Sequence, residues 1–123
     1  METQKKILIV EDNALLVEVM TYILINCGYQ VFVTTTGSNV FDHIKKDHPD
    51  LIILEALLPG INGMEICQLI KLNKTTQNLP VIMCSSDESV SASIKQKGAP
   101  DDILQKPFDL NSLIKKVQYQ LAA

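Results

Sequence analysis

The chain has few of the residues that build special-purpose scaffolds. Its 123 residues include only 5 glycines and 5 prolines, too few for a fibrous or low-complexity chain. Cys27, Cys67 and Cys84 are an odd number with no C-x-x-C spacing, which argues against a disulfide framework and against a zinc cluster. Three buried thiols acting as small hydrophobes are expected instead. Long apolar runs are also missing. Ile7 to Val10 ends at Glu11, Leu51 to Leu54 ends at Glu55, and Val19 to Cys27 is broken by Thr21 and Asn26, so none approaches a membrane span. Only four apolar residues follow Lys5 and Lys6, too few for a signal-peptide core, and a cytoplasmic location is expected. Positive charge is not in excess: 11 basic residues face 14 acidic ones, a net charge of −3. No global positive field is available to hold a phosphate backbone, and no direct nucleic-acid binding is expected.

What remains is 46% hydrophobic and 20% charged, the composition of one globular domain spanning residues 1–123. Four short, branched-aliphatic runs read as strands buried on both faces: Lys6 to Val10, Tyr29 to Thr34, Leu51 to Leu54, and Val81 to Cys84. A weaker fifth, Asp102 to Gln105, precedes Lys106 and Pro107. Segments of helical length and period lie between them. Asn13 can cap a helix to about Cys27, with Gly28 as a left-handed stop. Gly37 or Ser38 opens a second, and a third runs from Met64 to Leu72, burying Ile66, Leu69 and Ile70. Glu88 to Lys97 is a sparse fourth. The fifth, capped by Asp109, puts Leu110, Leu113, Ile114, Val117 and Leu121 on one face.

Alternation of this kind predicts an α/β fold of three layers, a doubly wound parallel sheet of five strands in the order 2-1-3-4-5 with five helices. Ligands in such sheets sit beyond the carboxyl ends of the strands. There the sequence delivers Glu11 and Asp12, Glu55, Ser85 and Ser86, and Lys106. Two readings stand. Clustered carboxylates repel unless a cation neutralises them, and Mg2+ suits so sparse an oxygen set, with a lysine and a serine placed for a phosphoryl group. Alternatively, Glu11 and Asp12 cap the first helix while Glu55 pairs with Lys106. No glycine-rich phosphate loop follows the first strand, so a flavin or nucleotide binder is poorly supported.

Several spaced motifs in order resemble the receiver domains of two-component response regulators. They are Ile7-Leu8-Ile9-Val10-Glu11-Asp12-Asn13, Pro49-Asp50-Leu51-Ile52-Ile53-Leu54 leading to Leu58-Pro59-Gly60 and Gly63, Leu79-Pro80-Val81-Ile82-Met83 before Ser85, Gly98-Ala99, and Lys106-Pro107-Phe108. The resemblance implies a phosphorylation switch in which a histidine kinase or phosphotransfer protein donates a phosphoryl group to an aspartate at the end of strand 3. It implies Mg2+ held by Glu11, Asp12, the residue at position 55 and the Leu57 carbonyl, with Ser85 as switch hydroxyl and Lys106 as ionic partner. The Lys106-Pro107 bond resembles the family's cis peptide. A downstream protein would dock on the fourth helix, fifth strand and fifth helix. No enzyme activity is implied beyond the self-phosphorylation and self-dephosphorylation of receivers; two expectations stand for the output, a single-domain module with nothing after the last helix or a receiver excised from a longer regulator that supplies it.

The acceptor position holds Glu55, not aspartate. One extra methylene, about 1.5 Å, pushes the carboxylate into the space of the incoming phosphoryl group, and a misplacement of ~1 Å can cost on the order of a hundredfold in rate. Glutamate can still form an acyl phosphate, so a working acceptor is the competing expectation. Otherwise Glu55 either partly mimics a phosphorylated state or pairs with Lys106 and leaves an unswitched scaffold. Ile103 replaces an aromatic residue that couples the switch hydroxyl to the output face, and one extra residue separates Gly98 from Lys106. His43 and His48 read as surface histidines.

Overall fold

The computed structural model describes residues 4–86 and 97–122. Its strands are β1 (Lys6–Val10), β2 (Gln30–Thr34), β3 (Leu51–Glu55), β4 (Val81–Ser85) and β5 (Asp102–Gln105). They form one sheet in the order β2-β1-β3-β4-β5, and every neighbouring pair is parallel. The expected topology is therefore present. Four α-helices stand among the described residues, not five: α1 (Ala14–Asn26), α2 (Val40–Asp47), α3 (Gly63–Leu72) and α4 (Leu110–Leu121). The expected helix Glu88 to Lys97 falls on residues 87–96, outside those described, and Lys97 itself lies in a turn.

Local chemistry sets the helix starts. The side chains of Asn13, Asn62 and Asp109 accept from the backbone N–H groups of Leu16, Met64 and Ser112, satisfying donors that a helix leaves open at its N-terminus. α1 ends at Asn26 with Cys27 as its cap, and Gly28 turns the chain away with a φ of 98° that suits a residue without Cβ. α2 starts differently from the expectation. A 3-10 turn, Gly37–Asn39, precedes it, and no side chain caps it.

Successive strand residues point to opposite faces, which divides the core in two. Leu8, Val10, Ile52, Leu54, Val81 and Met83 pack on one side with Val40, Ile66 and Ile70 of α2 and α3. Ile7, Ile9, Leu51, Ile53, Ile82 and Cys84 pack on the other with Met20, Leu24, Leu113 and Val117 of α1 and α4. Three burial expectations are corrected, the first being β2, which as an edge strand fully buries only Thr34 and leaves Gln30 exposed. Leu69 is 57% exposed, because the buried stripe of α3 runs through Ile66, Cys67 and Ile70 at spacings of a single helix face. Cys27 is exposed, because it caps the C-terminus of α1 one residue beyond its last turn.

Candidate functional site

The residues expected to carry chemistry come from four strand ends. Glu11 follows β1, Glu55 closes β3, Ser85 closes β4, and Lys106 follows β5. Parallel strands finish on the same side of the sheet, so register brings these ends together. Val10 pairs with Leu54, Glu55 with Cys84, and Ser85 with Gln105. Backbone bonds extend the pattern, with the Ala56 N–H donating to Cys84 O at 2.9 Å and the Lys106 N–H to Ser85 O at 2.8 Å. The Lys106-Pro107 peptide is cis, as the resemblance implied.

Lys106 joins the two buried acids. Its Nζ donates to Glu11 Oε1 at 2.7 Å and forms a contact ion pair with Glu55 Oε2. The remaining carboxylate oxygens are held by backbone. Glu11 Oε2 accepts from the N–H groups of Asp12 and Asn13 at 3.0 and 3.2 Å, and Glu55 Oε1 accepts from the Leu57 N–H at 3.1 Å. Glu11 is 2% exposed and Glu55 is 6% exposed, a burial that carboxylates tolerate when each is both charge-paired and hydrogen-bonded. Burial alone would lower the Lys106 pKa. Hydrogen bonds to Glu11 and Glu55, reinforced by their charges, outweigh it and hold the ammonium above the ordinary lysine value of 10.5.

Ser85 is buried beside this group. Below it, burial and then the charge of Glu55 push the Cys84 thiol up to about 12, so it stays a neutral packing group near neutral pH. Asp12 is exposed and has no ion-pair partner among the described residues. It lies with Leu57 and Pro59 around a shallow depression of about 430 Å3. A second groove, of about 470 Å3, opens directly beside Lys106 between Leu15, Leu16 and Val19 of α1 and Phe108 and Leu110 at the start of α4.

Two features of the site escaped the sequence reading. Leu57 matters here through its N–H, which the short loop before α3 aims at Glu55; Leu57 lies opposite Asn62 in an isolated bridge, and the Gly63 N–H donates to Ala56 O at 2.8 Å. A Cβ at Gly63 would lie 2.2 Å from Glu55 O, so the loop approaches β3 as closely as it does because that residue is glycine. The other feature is that Lys106 serves Glu11 as well as Glu55. Nothing in the local sequence around either residue signals this.

Mg2+ asks for near-octahedral oxygen ligands, most of them free to turn toward it. Glu11 and Glu55 turn instead toward Lys106 and backbone N–H groups, and no three acidic, histidine or cysteine side chains are grouped to hold a metal among the described residues. In this arrangement the oxygens of Glu11 and Glu55 face an ammonium and backbone N–H groups, while the Asp12 carboxylate and the Leu57 loop border the open depression where a cation would enter. The arrangement realises capping and pairing: Glu11 accepts from the entry to α1, Asn13 rather than Asp12 caps that helix, and Glu55 pairs with Lys106. Of the residues away from the site, Ile103 pairs with Met83 and packs on the core beside α3. His43 contacts Asp47 at 2.7 Å, and His48 is exposed at the end of α2. No described helix is long and apolar enough to cross a membrane.

The response regulator receiver domain family matches residues 7–118. The chain is 28% identical over 119 residues to the DNA-binding response regulator MtrA of Mycolicibacterium paratuberculosis, covering 96% of this chain and 52% of that protein. It thus spans about half the length of the curated relatives it matches. A crystal structure of a Chloroflexus aurantiacus protein assigned as a response regulator superposes with a TM-score of 0.90 at 32% identity, covering 98% of this chain and all of that one. The response regulator TrrA of Thermotoga maritima, crystallised with Mg2+-BeF, gives a TM-score of 0.85 at 25% identity, covering 96% of this chain and all of that one. The family match over residues 7–118 and the superposition on response regulator structures agree with the sheet order, and the chain belongs to the response regulator receiver domains of two-component signalling.

Proposed function

We propose that this chain is a receiver-type signalling module that acts by binding partners, with a state independent of phosphoryl transfer to Glu55. In this reading Glu55 stands at the family's acceptor position, Ser85 at the switch hydroxyl and Lys106 at the ionic partner. One observation carries it: both oxygens of Glu55 are engaged, one by Lys106 and one by the Leu57 N–H. A carboxylate nucleophile needs a free oxygen in line with its donor, and an oxygen held by an ammonium is neither free nor strongly nucleophilic. Glu55 also draws Lys106 inward as a phosphoryl group would. A single carboxylate lacks the charge and the three acceptor oxygens of a phosphate, so any mimicry is partial.

The partners would be a histidine kinase or phosphotransfer protein and a downstream protein target. β5 and α4 supply part of the face expected for that target, and the expected fourth helix lies outside the described residues. The groove beside Lys106, with the exposed Leu15 and Leu110 at its rim, gives a docking helix apolar surface next to the site. No turnover of an external substrate is assigned.

The competing reading, a Mg2+-dependent acceptor using Glu55, draws support from TrrA, a relative of the same fold crystallised with Mg2+-BeF. Intact-protein mass after incubation with Mg2+ and a small-molecule phosphodonor, beside Glu55→Asp, separates the two. A phosphoryl gain in Glu55→Asp alone supports the proposal. A gain in the unaltered protein that disappears on changing Glu55 refutes it.

A further inference from the structure

We infer that Lys106 is the resident cation of the acidic site, a tethered ammonium seated between Glu11 and Glu55 in place of a divalent metal. The inference deepens the function proposed above and rests on its placement of Glu55 at the end of β3. A site built for a divalent ion would keep carboxylate oxygens open toward a common point and leave the lysine at its margin. Here the ammonium contacts one oxygen of each acid, and backbone N–H groups take the other two. All four oxygens of Glu11 and Glu55 are thereby used. Asp12 is the one carboxylate of the expected set left without an ion pair among the described residues, and it is exposed.

Glutamate length makes this closure possible. β3 ends on a residue fixed by the Glu55–Cys84 register and by the tight approach of Gly63 to its carbonyl. With the backbone held, the extra methylene of about 1.5 Å is spent toward β5, where the Lys106 N–H is anchored on Ser85 O. Two buried carboxylates and one ammonium leave a formal charge of −1. A divalent ion entering this group would have to displace the lysine, break its bonds to both acids and face its positive charge at close range. A tethered cation also has an advantage that a free one lacks: it loses no translational freedom on binding.

Mn2+ binding followed by electron paramagnetic resonance tests the inference on the full chain, with Lys106→Met and Lys106→Met/Glu55→Asp beside it. The unaltered protein should show no saturable Mn2+ binding at millimolar metal, and Lys106→Met should bind roughly tenfold tighter or better. If Lys106→Met folds poorly, Mn2+ or Mg2+ should raise its thermal midpoint while leaving that of the unaltered protein unmoved. The NMR signal of the Lys106 ammonium in the unaltered protein should likewise be indifferent to Mg2+. Tight Mn2+ binding by the unaltered protein, a Lys106 signal that moves with Mg2+, or a Lys106→Met protein that folds and binds no tighter would each overturn the inference. The two readings fail separately. Metal binding without phosphoryl gain overturns the lysine role alone, and phosphoryl gain on Glu55 in the presence of a chelator overturns phosphorylation independence alone.

Discussion

Lys106 Nζ lies 2.7 Å from Glu11 Oε1 although 95 residues separate them in the chain. The bond spans the sheet from the residue after β5 to the residue after β1, and Glu55 at the end of β3 completes it from between. Removing the ammonium leaves two nearly buried carboxylates without a counter-charge. Lys106→Met should destabilise the fold at neutral pH by roughly 3 kcal/mol, the lower end of the range for breaking a buried pair, because the lysine side chain keeps some access to water. Urea unfolding of the two proteins checks this. A loss below 1 kcal/mol would mean that water already carries most of the charge.

Alkali should weaken the protein in two stages. Burial raises the thiols of Cys67 and Cys84 from 9.0 to about 12, so the unfolded chain gives up those protons first and stability starts to fall above about pH 9. Lys106 is raised above 10.5. Its contribution is complete below that value and is lost as pH rises through the higher folded pKa. A urea-midpoint profile should therefore be flat at neutral pH, decline above pH 9 and steepen above 10.5. Lys106→Met should steepen less there, keeping the part that the Tyr29 phenol, raised from 10.0 by burial, contributes.

Of the three cysteines, only Cys27 is exposed. A thiol reagent at neutral pH should label one cysteine promptly and the other two at the rate of unfolding, and peptide mapping should place the fast label on Cys27.

Gly63 sets the height of the loop beneath Glu55. In Gly63→Ala the new Cβ would meet Glu55 O at 2.2 Å and the Ala56 Cα at 2.8 Å, backbone atoms that yield only by moving β3. The expected cost is roughly 1–3 kcal/mol, together with changed NMR shifts for the Leu57 amide and the Lys106 ammonium. A silent substitution would show that the loop can lift without disturbing the acid pair.

The strands were legible because Ile7 to Val10, Leu51 to Leu54 and Val81 to Cys84 are apolar on both faces, a pattern that parallel sheets alone require in so short a run. Once their order was inferred, the meeting of Glu11, Glu55, Ser85 and Lys106 followed from the direction in which parallel strands end. What the acids do on meeting was not legible. Whether Glu11 and Glu55 face a metal or a lysine depends on one methylene and on where the Leu57 N–H points, and neither leaves a periodic trace. Leu69 and Cys27 were misplaced for simpler reasons: Leu69 lies one position off the buried face of α3, and Cys27 continues the spacing of Met20 and Leu24 but falls just after α1 has ended.

The division of the interior by the sheet has one more consequence. Ile9 and Val10 are adjacent in sequence yet belong to different packing layers, each closed off from the other by a wall of hydrogen-bonded backbone. The two layers can thus vary as nearly independent compartments, since side chains without shared neighbours couple weakly.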